Sequence, residues 1–384
     1  MERKSKKKLM NTYNRQNPFQ SKLIERTVLN PLSDKKTYHL KFDISNTNIQ
    51  YTPGDSLAVL PQNEPSLIER TLEVLNISKE KSISHPKTNT KTSIYDFFLK
   101  EASITKLSNG FFKYLIKNQK LKENEEKLQN LLDNRELLKD YIETHALFDT
   151  LIEFPIKELD LDELCQKLLP LIPRLYSITS ACKATPNSIE LIVAHVTYEA
   201  SGYLRKGVCS TYLCECPETH YDIYVQPSHG FHLPKDPSTD ILMIGSGTGI
   251  APFRAFILER IHKNAPGKNW LFFGEKHRKQ DFFYEDELKK FESENKLKLS
   301  LAFSRDQKEK IYVQHILLKE KDAVWKHIQD GGSIYVCGDA KKMAKDIELA
   351  LIEIAQEKKD ISNHEAIEFI QKLREDNRYL RDVY

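Results

Sequence analysis

The chain has 384 residues and 40% hydrophobic content, enough to bury two cores, and a length of this size favours two or three domains. Its 58 Lys and Arg against 55 Asp and Glu leave a formal charge of +3, which makes no case for nucleic-acid binding. Six cysteines in no paired framework point to a reducing compartment and a cytoplasmic location, and the absence of any run of about twenty apolar residues argues against a bilayer span.

In chain order, the basic run Arg3-Lys4-Ser5-Lys6-Lys7-Lys8 belongs to a 1–20 tail expected to be solvated and flexible. No apolar segment follows to make it a secretory signal. Apolar and polar residues alternate from Thr37 to Ile44, the chain turns at Pro53-Gly54-Asp55, and an apolar run resumes at Leu57-Ala58-Val59-Leu60, so strands are predicted. From Glu64 to about Cys165 the period is helical. Ile68, Leu72 and Leu75 share one face, and Leu128, Leu131, Leu132, Leu138 and Ile142 share the face of one later helix. Strand character returns between Ile189 and Val196. Beyond Pro234-Lys235-Asp236-Pro237, strand-like runs at Ile241–Ile244, Trp270–Phe273, Leu299–Phe303 and Ser333–Cys337 alternate with helical stretches, and Gly245 to Gly249 turns into a helix near Ala251. This order predicts a β domain interrupted by helices, then a doubly wound α/β domain with ligands at the carboxyl ends of its strands.

No internal repeat, metal-ligand set, paired carboxylate site or serine triad stands out. Cys209, Cys214 and Cys216 approach iron–sulfur spacing, but the last gap is a single residue and no fourth cysteine is near, so they read as small apolar side chains on a helix.

Six motifs occur in a telling order: Arg174-Leu175-Tyr176-Ser177, Gly207-Val208-Cys209-Ser210, Gly245-Ser246-Gly247-Thr248-Gly249-Ile250-Ala251-Pro252-Phe253, Ser304-Arg305 with Lys310-Ile311-Tyr312-Val313-Gln314, Tyr335-Val336-Cys337-Gly338-Asp339, and Tyr384. With Tyr51-Thr52-Pro53-Gly54-Asp55 and Arg378-Tyr379-Leu380-Arg381-Asp382-Val383, the series resembles, nearly end to end, the FAD/NADPH reductase half of the sulfite reductase flavoprotein family. Cytochrome P450 reductases and ferredoxin-NADP reductases are wider relatives. The resemblance implies an α+β and α/β chain: an antiparallel FAD-binding β-barrel (21–62 and 166–235) with a helical connecting insertion (63–165), followed by a parallel, doubly wound NADP-binding domain (236–384). It departs from the family in one large respect, because an FMN-binding flavodoxin-like domain normally precedes this region and the chain starts almost directly at the FAD part.

Physical chemistry gives these motifs separate tasks. Arg174 can fork a flavin phosphate, Leu175 completes the motif, Tyr176 offers a flat face and a hydroxyl, and the resemblance puts Ser177 near flavin N5. Gly207, Val208, Cys209 and Ser210 resemble a pyrophosphate signature at a helix N-terminus, although cysteine replaces a smaller residue type. Ile192, Val193, Ala194 and Tyr198 align with flavin-contacting positions. Gly247, Thr248 and Gly249 line the family's NADPH pyrophosphate and nicotinamide region, and Pro252 is tolerated in the first helical turn. It is no Walker loop, since no Gly-Lys-Ser/Thr follows.

Ser304, Arg305, Lys310, Ile311, Tyr312, Val313 and Gln314 form a constellation suited to a 2′-phosphate, which needs positive charge and several donors, and Asp346 aligns with another NADP contact. Ser177, Cys337 and Asp382 match positions around nicotinamide C4, and Tyr384 matches an aromatic that covers the flavin face. The resemblance therefore implies transfer from NADPH through FAD to an electron-accepting protein: an FMN-domain or flavodoxin-type partner, or a sulfite reductase hemoprotein. A stand-alone flavodoxin or ferredoxin reductase and a non-catalytic assembly module are the alternatives.

Overall fold

Alternating burial from Thr37 onward does build a strand. In the computed structural model, which describes residues 13–200 and 202–384, the chain opens with β1 (Phe19–Val28), β2 (Thr37–Asp43) and β3 (Ser56–Val59). The basic run from Arg3 to Lys8 lies outside the described residues. Next come α1 (Pro65–Leu75), a hairpin of β4 (Ser82–Ser84) and β5 (Lys91–Ser93), then α2 (Ile94–Lys100), α3 (Asn109–Lys117), α4 (Lys122–Asp133), α5 (Arg135–Thr144), α6 (Leu147–Glu153) and α7 (Leu161–Lys167). Strands return as β6 (Arg174–Ser177), β7 (Ser188–Ala194), β8 (Thr197–Ala200) and β9 (Tyr203–Lys206), followed by α8 (Val208–Cys214) and β10 (His220–Gln226). The remainder alternates: β11 (Ile241–Ser246), α9 (Ala251–His262), β12 (Asn269–Glu275), α10 (Arg278–Asp281), α11 (Glu285–Ser293), β13 (Lys298–Phe303), α12 (Val313–Lys319), α13 (Lys321–Gln329), β14 (Ser333–Gly338), α14 (Met343–Lys359), α15 (Asn363–Glu375) and β15 (Tyr379–Val383).

Two compact units result. The larger takes the chain up to Ala58, Leu175–Ala194 and Thr219–Tyr384, and the smaller takes Val59–Arg174 and His195–Glu218. In the larger, six strands pair in the order β6-β3-β10-β1-β2-β7, with β1 antiparallel to β10 and β2, and β2 antiparallel to β7. Just past β6, Ile178 bridges Leu191 of β7 and the Thr179 N–H donates to the Glu190 carbonyl at 2.9 Å, which closes the sheet into a barrel.

The same unit holds a five-stranded sheet ordered β13-β12-β11-β14-β15, parallel throughout. The three central strands β11, β12 and β14 are buried on both faces, as a parallel sheet covered by helices requires, while the edge strands β13 and β15 are partly exposed. Leu242, Ile244, Phe272 and Val336 pack one way with residues of α12 to α15, whereas Ile241, Met243, Leu271, Phe273 and Cys337 pack the other way with Phe253, Phe256 and Ile257 of α9.

The smaller unit is largely helical, with a core of Ile68, Leu72, Phe98, Phe111, Phe112 and Leu128 among others. Its pattern differs from expectation in two places. The single helix expected across Leu128 to Ile142 is two, because Asn134 adopts an extended backbone and its side chain accepts the Glu136 and Leu137 N–H groups, ending α4 and capping α5. The β4–β5 hairpin also interrupts the helical stretch, with Ile83 as its buried anchor. Among the described residues no helix is long and apolar enough to cross a membrane.

Candidate active site

The glycine-rich segment leaves β11 at Ser246, makes a 3-10 turn over Gly247–Ile250, and enters α9 with Pro252 in its first turn. Two glycines are required there for different reasons. Gly247 has φ +55°, the left-handed region that a Cβ disfavours. Gly249 approaches β14 so closely that a Cβ would lie 2.2 Å from the Cys337 carbonyl oxygen. The turn is thereby pressed onto the carboxyl end of the strand carrying Cys337.

Three expected residues converge at that end. Cys337 and Asp382 stand opposite each other in the parallel β14–β15 register. The Ser177 hydroxyl donates to Asp382 Oδ2 at 2.9 Å, and the Cys337 thiol lies 4.0 Å from the same oxygen. Burial raises the Asp382 pKa, and the Ser177 hydrogen bond offsets part of that rise. The fully buried Cys337 thiol is pushed well up by desolvation and then by the Asp382 charge, so it stays protonated. Tyr384 follows β15. Its N–H donates to the Gly338 carbonyl at 3.1 Å, its hydroxyl meets Thr248 Oγ1 at 2.8 Å, and the residue is 66% exposed. The ring is tethered at its tip and uncovered on its face.

The 2′-phosphate candidates surround the loop after β13. Ser304 is buried, its N–H donating to the Glu275 carbonyl at 2.8 Å, and the Arg305 N–H donates to the Lys276 carbonyl at 2.9 Å. Neither the exposed Arg305 guanidinium nor the exposed Lys310 ammonium pairs with a carboxylate among the described residues. Tyr312 is half-exposed at the entrance of α12, Val313 is buried, and Ile311 packs on the core. Gln314 Nε2 donates to Asp346 Oδ2 at 3.2 Å, so these two candidates are neighbours. On β7 the Ile192 and Val193 side chains are buried, which leaves backbone for a ligand, while Ala194 is half-buried.

In the smaller unit, Gly207 precedes α8 and its N–H donates to the Val196 carbonyl at 2.8 Å. Ser210 Oγ donates to the Gly207 carbonyl at 3.1 Å and accepts the Val196 N–H at 3.2 Å, so that hydroxyl holds the loop. A Cβ on Gly207 would sit 2.7 Å from it. The first turn of α8 begins directly after Gly207, and a helix start of this kind leaves backbone N–H groups without intrahelical acceptors. Arg174 is half-buried at the start of β6, and Tyr198 on the β8–β9 hairpin is 48% exposed.

The FAD binding domain family matches residues 11–212, more than half of the chain. This chain belongs to that family. The oxidoreductase NAD-binding domain matches residues 243–348, so this FAD-binding chain is a flavoprotein oxidoreductase, in agreement with FAD and NADPH as cofactors. Its relatives include the sulfite reductase [NADPH] flavoprotein alpha-component of Mannheimia succiniciproducens, 39% identical over 377 residues, and that of Bacillus subtilis, 36% identical over 379 residues. The protein of the same description from Escherichia coli O9:H4 is 36% identical over 377 residues. Each alignment covers 97% of this chain, which spans 62% of the length of the relatives it matches.

The residues present fit a flavin. Each unit leaves a large ring in water, Tyr198 in the smaller and Tyr384 in the larger, and an exposed aromatic ring is a surface that a planar group can cover. Two features escaped the sequence reading. A cavity of about 120 Å³ beside the glycine turn is lined by Lys35, Thr37, Gly247, Thr248, Glu275 and Lys276, and burial raises the Glu275 pKa. The second is Arg254, buried on α9 with carboxylate partners from other elements. A lone arginine inside Ala-Pro-Phe-Arg-Ala-Phe-Ile-Leu is the signal that could have revealed it, because a charge on an apolar helix face demands a partner.

Proposed function

We propose that this chain is the NADPH-oxidising, FAD-bearing reductase component of a sulfite reductase system and that it acts in the cytoplasm. One observation carries the reading: Ser177, at the end of the Arg-Leu-Tyr-Ser strand, hydrogen-bonds Asp382 of the nucleotide-type sheet. In this reading 21–62 and 166–235 form the FAD module, 63–165 the insertion and 236–384 the NADP module. When bound, FAD takes a hydride from the nicotinamide and releases electrons singly to a protein acceptor.

Arg174 and the backbone of Gly207 to Ser210 would hold FAD phosphates, with Tyr198 on the same cofactor. Tyr176, Ile192, Val193 and Ala194 would flank the isoalloxazine, and Tyr384 would cover its open face until nicotinamide arrives. Gly247, Thr248 and Gly249 would receive the NADPH pyrophosphate. Ser304, Arg305, Lys310, Tyr312 and Gln314 would read the 2′-phosphate. Ser177 and Cys337 would shape the nicotinamide position, and the Asp382 carboxylate would face positive charge developing on the nicotinamide ring.

The names of the relatives favour a sulfite reductase hemoprotein as the final acceptor, reached through an FMN-domain or flavodoxin-type protein. An acceptor panel under NADPH tests this, with flavodoxin, ferredoxin, cytochrome c and sulfite reductase hemoprotein compared at equal concentration. Fastest turnover through flavodoxin to the hemoprotein is expected. Fast reduction of ferredoxin with none of the hemoprotein would replace the reading with a stand-alone reductase, and a chain that binds no flavin would leave an assembly module.

A further inference from the structure

Arg254 lies one turn into α9 and is 9% exposed. Its Nη1 donates to the Thr179 carbonyl at 3.0 Å and to Glu190 Oε2 at 2.8 Å, and its Nε and Nη2 fork onto Glu287 at 2.7 and 3.0 Å. Tyr284 presents its ring 4.7 Å from the guanidinium, and its hydroxyl meets His39 Nδ1 at 3.0 Å. Tyr284 has φ +59°, a conformation that bulky residues rarely adopt and that surrounding contacts must hold.

The positions of these partners give the cluster its meaning. Thr179 is two residues past Ser177, and Glu190 is two residues before Ile192 on β7. His39 stands opposite Ile192 in the β2–β7 register. Arg254 itself follows directly on the turn that contains Gly247, Thr248 and Gly249. One guanidinium thus ties the barrel segments bearing flavin motifs to the helix bearing the dinucleotide turn. Buried ion pairs contribute little net stability compared with apolar packing, so stability alone is a weak reason for this one. Burial opposes the charge on Arg254, and the pairs with Glu287 and Glu190 outweigh it and raise its pKa.

We propose that Arg254 is a positioning residue for hydride transfer, setting the register between the Arg-Leu-Tyr-Ser strand end and the glycine-rich turn, and hence how nicotinamide meets the flavin. The inference rests on the reductase reading above. Misplacement of reacting atoms by about 1 Å can cost about a hundredfold in rate.

Two variants of the FAD-loaded chain test it. Arg254→Lys keeps the charge without the fork, and Arg254→Met with Glu190→Gln removes both charges and leaves Glu287, whose side chain is 30% exposed, to solvent. FAD content, thermal midpoint, NADP⁺ affinity, the flavin–nicotinamide charge-transfer band and the stopped-flow hydride rate are measured. Both variants should keep FAD and hold NADP⁺ affinity within about threefold, yet lose the band and slow by about 10- to 100-fold. An unchanged band and rate would overturn the proposal. So would loss of FAD or of NADP⁺ binding in step with the rate, which marks a role in folding alone. A wild-type chain with no band and no flavin reduction by NADPH would instead count against the reductase reading.

Discussion

The Ser177 hydroxyl donates to the Asp382 carboxylate at 2.9 Å across 205 residues of sequence. That hydrogen bond joins a strand end of the antiparallel barrel to the last strand of the parallel sheet. It places a carboxylate with a raised pKa beside the serine of the flavin motif.

The pH dependence of hydride transfer should report Asp382. Only the ionised form can face a developing cation, and burial raises its pKa above that of an ordinary aspartate. The rate should therefore fall as pH drops through a value above that of an ordinary aspartate. Asp382→Asn should flatten this acid limb and slow transfer by roughly 10- to 100-fold, the equivalent of a hydrogen bond to a charged group. A raised carboxylate pKa means that the folded state favours the proton, so its stabilisation is full below the unfolded pKa and is lost as pH rises through the folded one. At neutral pH Asp382→Asn should accordingly melt no lower than wild type. Stopped-flow rates and melting curves from the ordinary aspartate range up to neutral pH decide both points, and an acid limb that survives in the variant rules Asp382 out as its source.

Nucleotide choice should rest on Arg305. Its guanidinium is exposed and without a carboxylate partner among the described residues, so nothing in the fold depends visibly on its charge. Arg305→Ala should weaken use of NADPH by about ten- to a hundredfold, the equivalent of 1.5–3 kcal/mol, and leave NADH nearly untouched. Equal losses of kcat/KM with the two nucleotides would reassign it to a structural role.

Tyr384 should act as a cover that the nicotinamide displaces. Ring stacking contributes about 0.5–1.5 kcal/mol, so Tyr384→Ser should strengthen the flavin–nicotinamide charge-transfer band, slow NADP⁺ release and narrow the preference for NADPH over NADH. Absorbance titrations and steady-state constants for both nucleotides test it. Should neither change, the Thr248 tether has no bearing on the flavin face.

Two glycines should respond oppositely to the same methyl group. Gly249→Ala drives a Cβ into the Cys337 carbonyl oxygen and should cost on the order of 1–3 kcal/mol, lowering nucleotide affinity as the turn lifts from β14. Gly110 in α3 has its nearest neighbour atom at an ordinary 3.4 Å, and Gly110→Ala should stabilise by about 0.4–1 kcal/mol through the unfolded chain. Denaturation of both variants provides the comparison, and a neutral Gly249→Ala would show that β14 yields easily.

Local patterns in the sequence carry much of this fold. Alternation predicts β2, apolar runs predict β11 to β14, and the glycine turn is expected where β11 meets α9. Asn134 shows the limit of periodicity, since the apolar face continues across it while its side chain caps a new helix. The convergence of Ser177, Cys337 and Asp382 comes from the resemblance rather than from any pattern, because parallel register between β14 and β15 depends on a crossover through α14 and α15. Arg254 was hidden for a similar reason. Its carboxylates lie on β7 and α11, and nothing near it in sequence names them.

Closure of the barrel through Ile178 and Leu191 also bears on self-association. The Arg-Leu-Tyr-Ser strand keeps its side chains half-buried or exposed, yet its continuation is hydrogen-bonded on both sides, to Asp55 and to Glu190, and offers no free backbone row to a foreign strand. The five-stranded sheet has no such closure and ends on β15. There Arg381 and Asp382 stand side by side on the outermost strand, where ionisable groups discourage the addition of another chain. The carboxylate that accepts from Ser177 is thus also one of these two ionisable groups placed on the sheet's outermost strand.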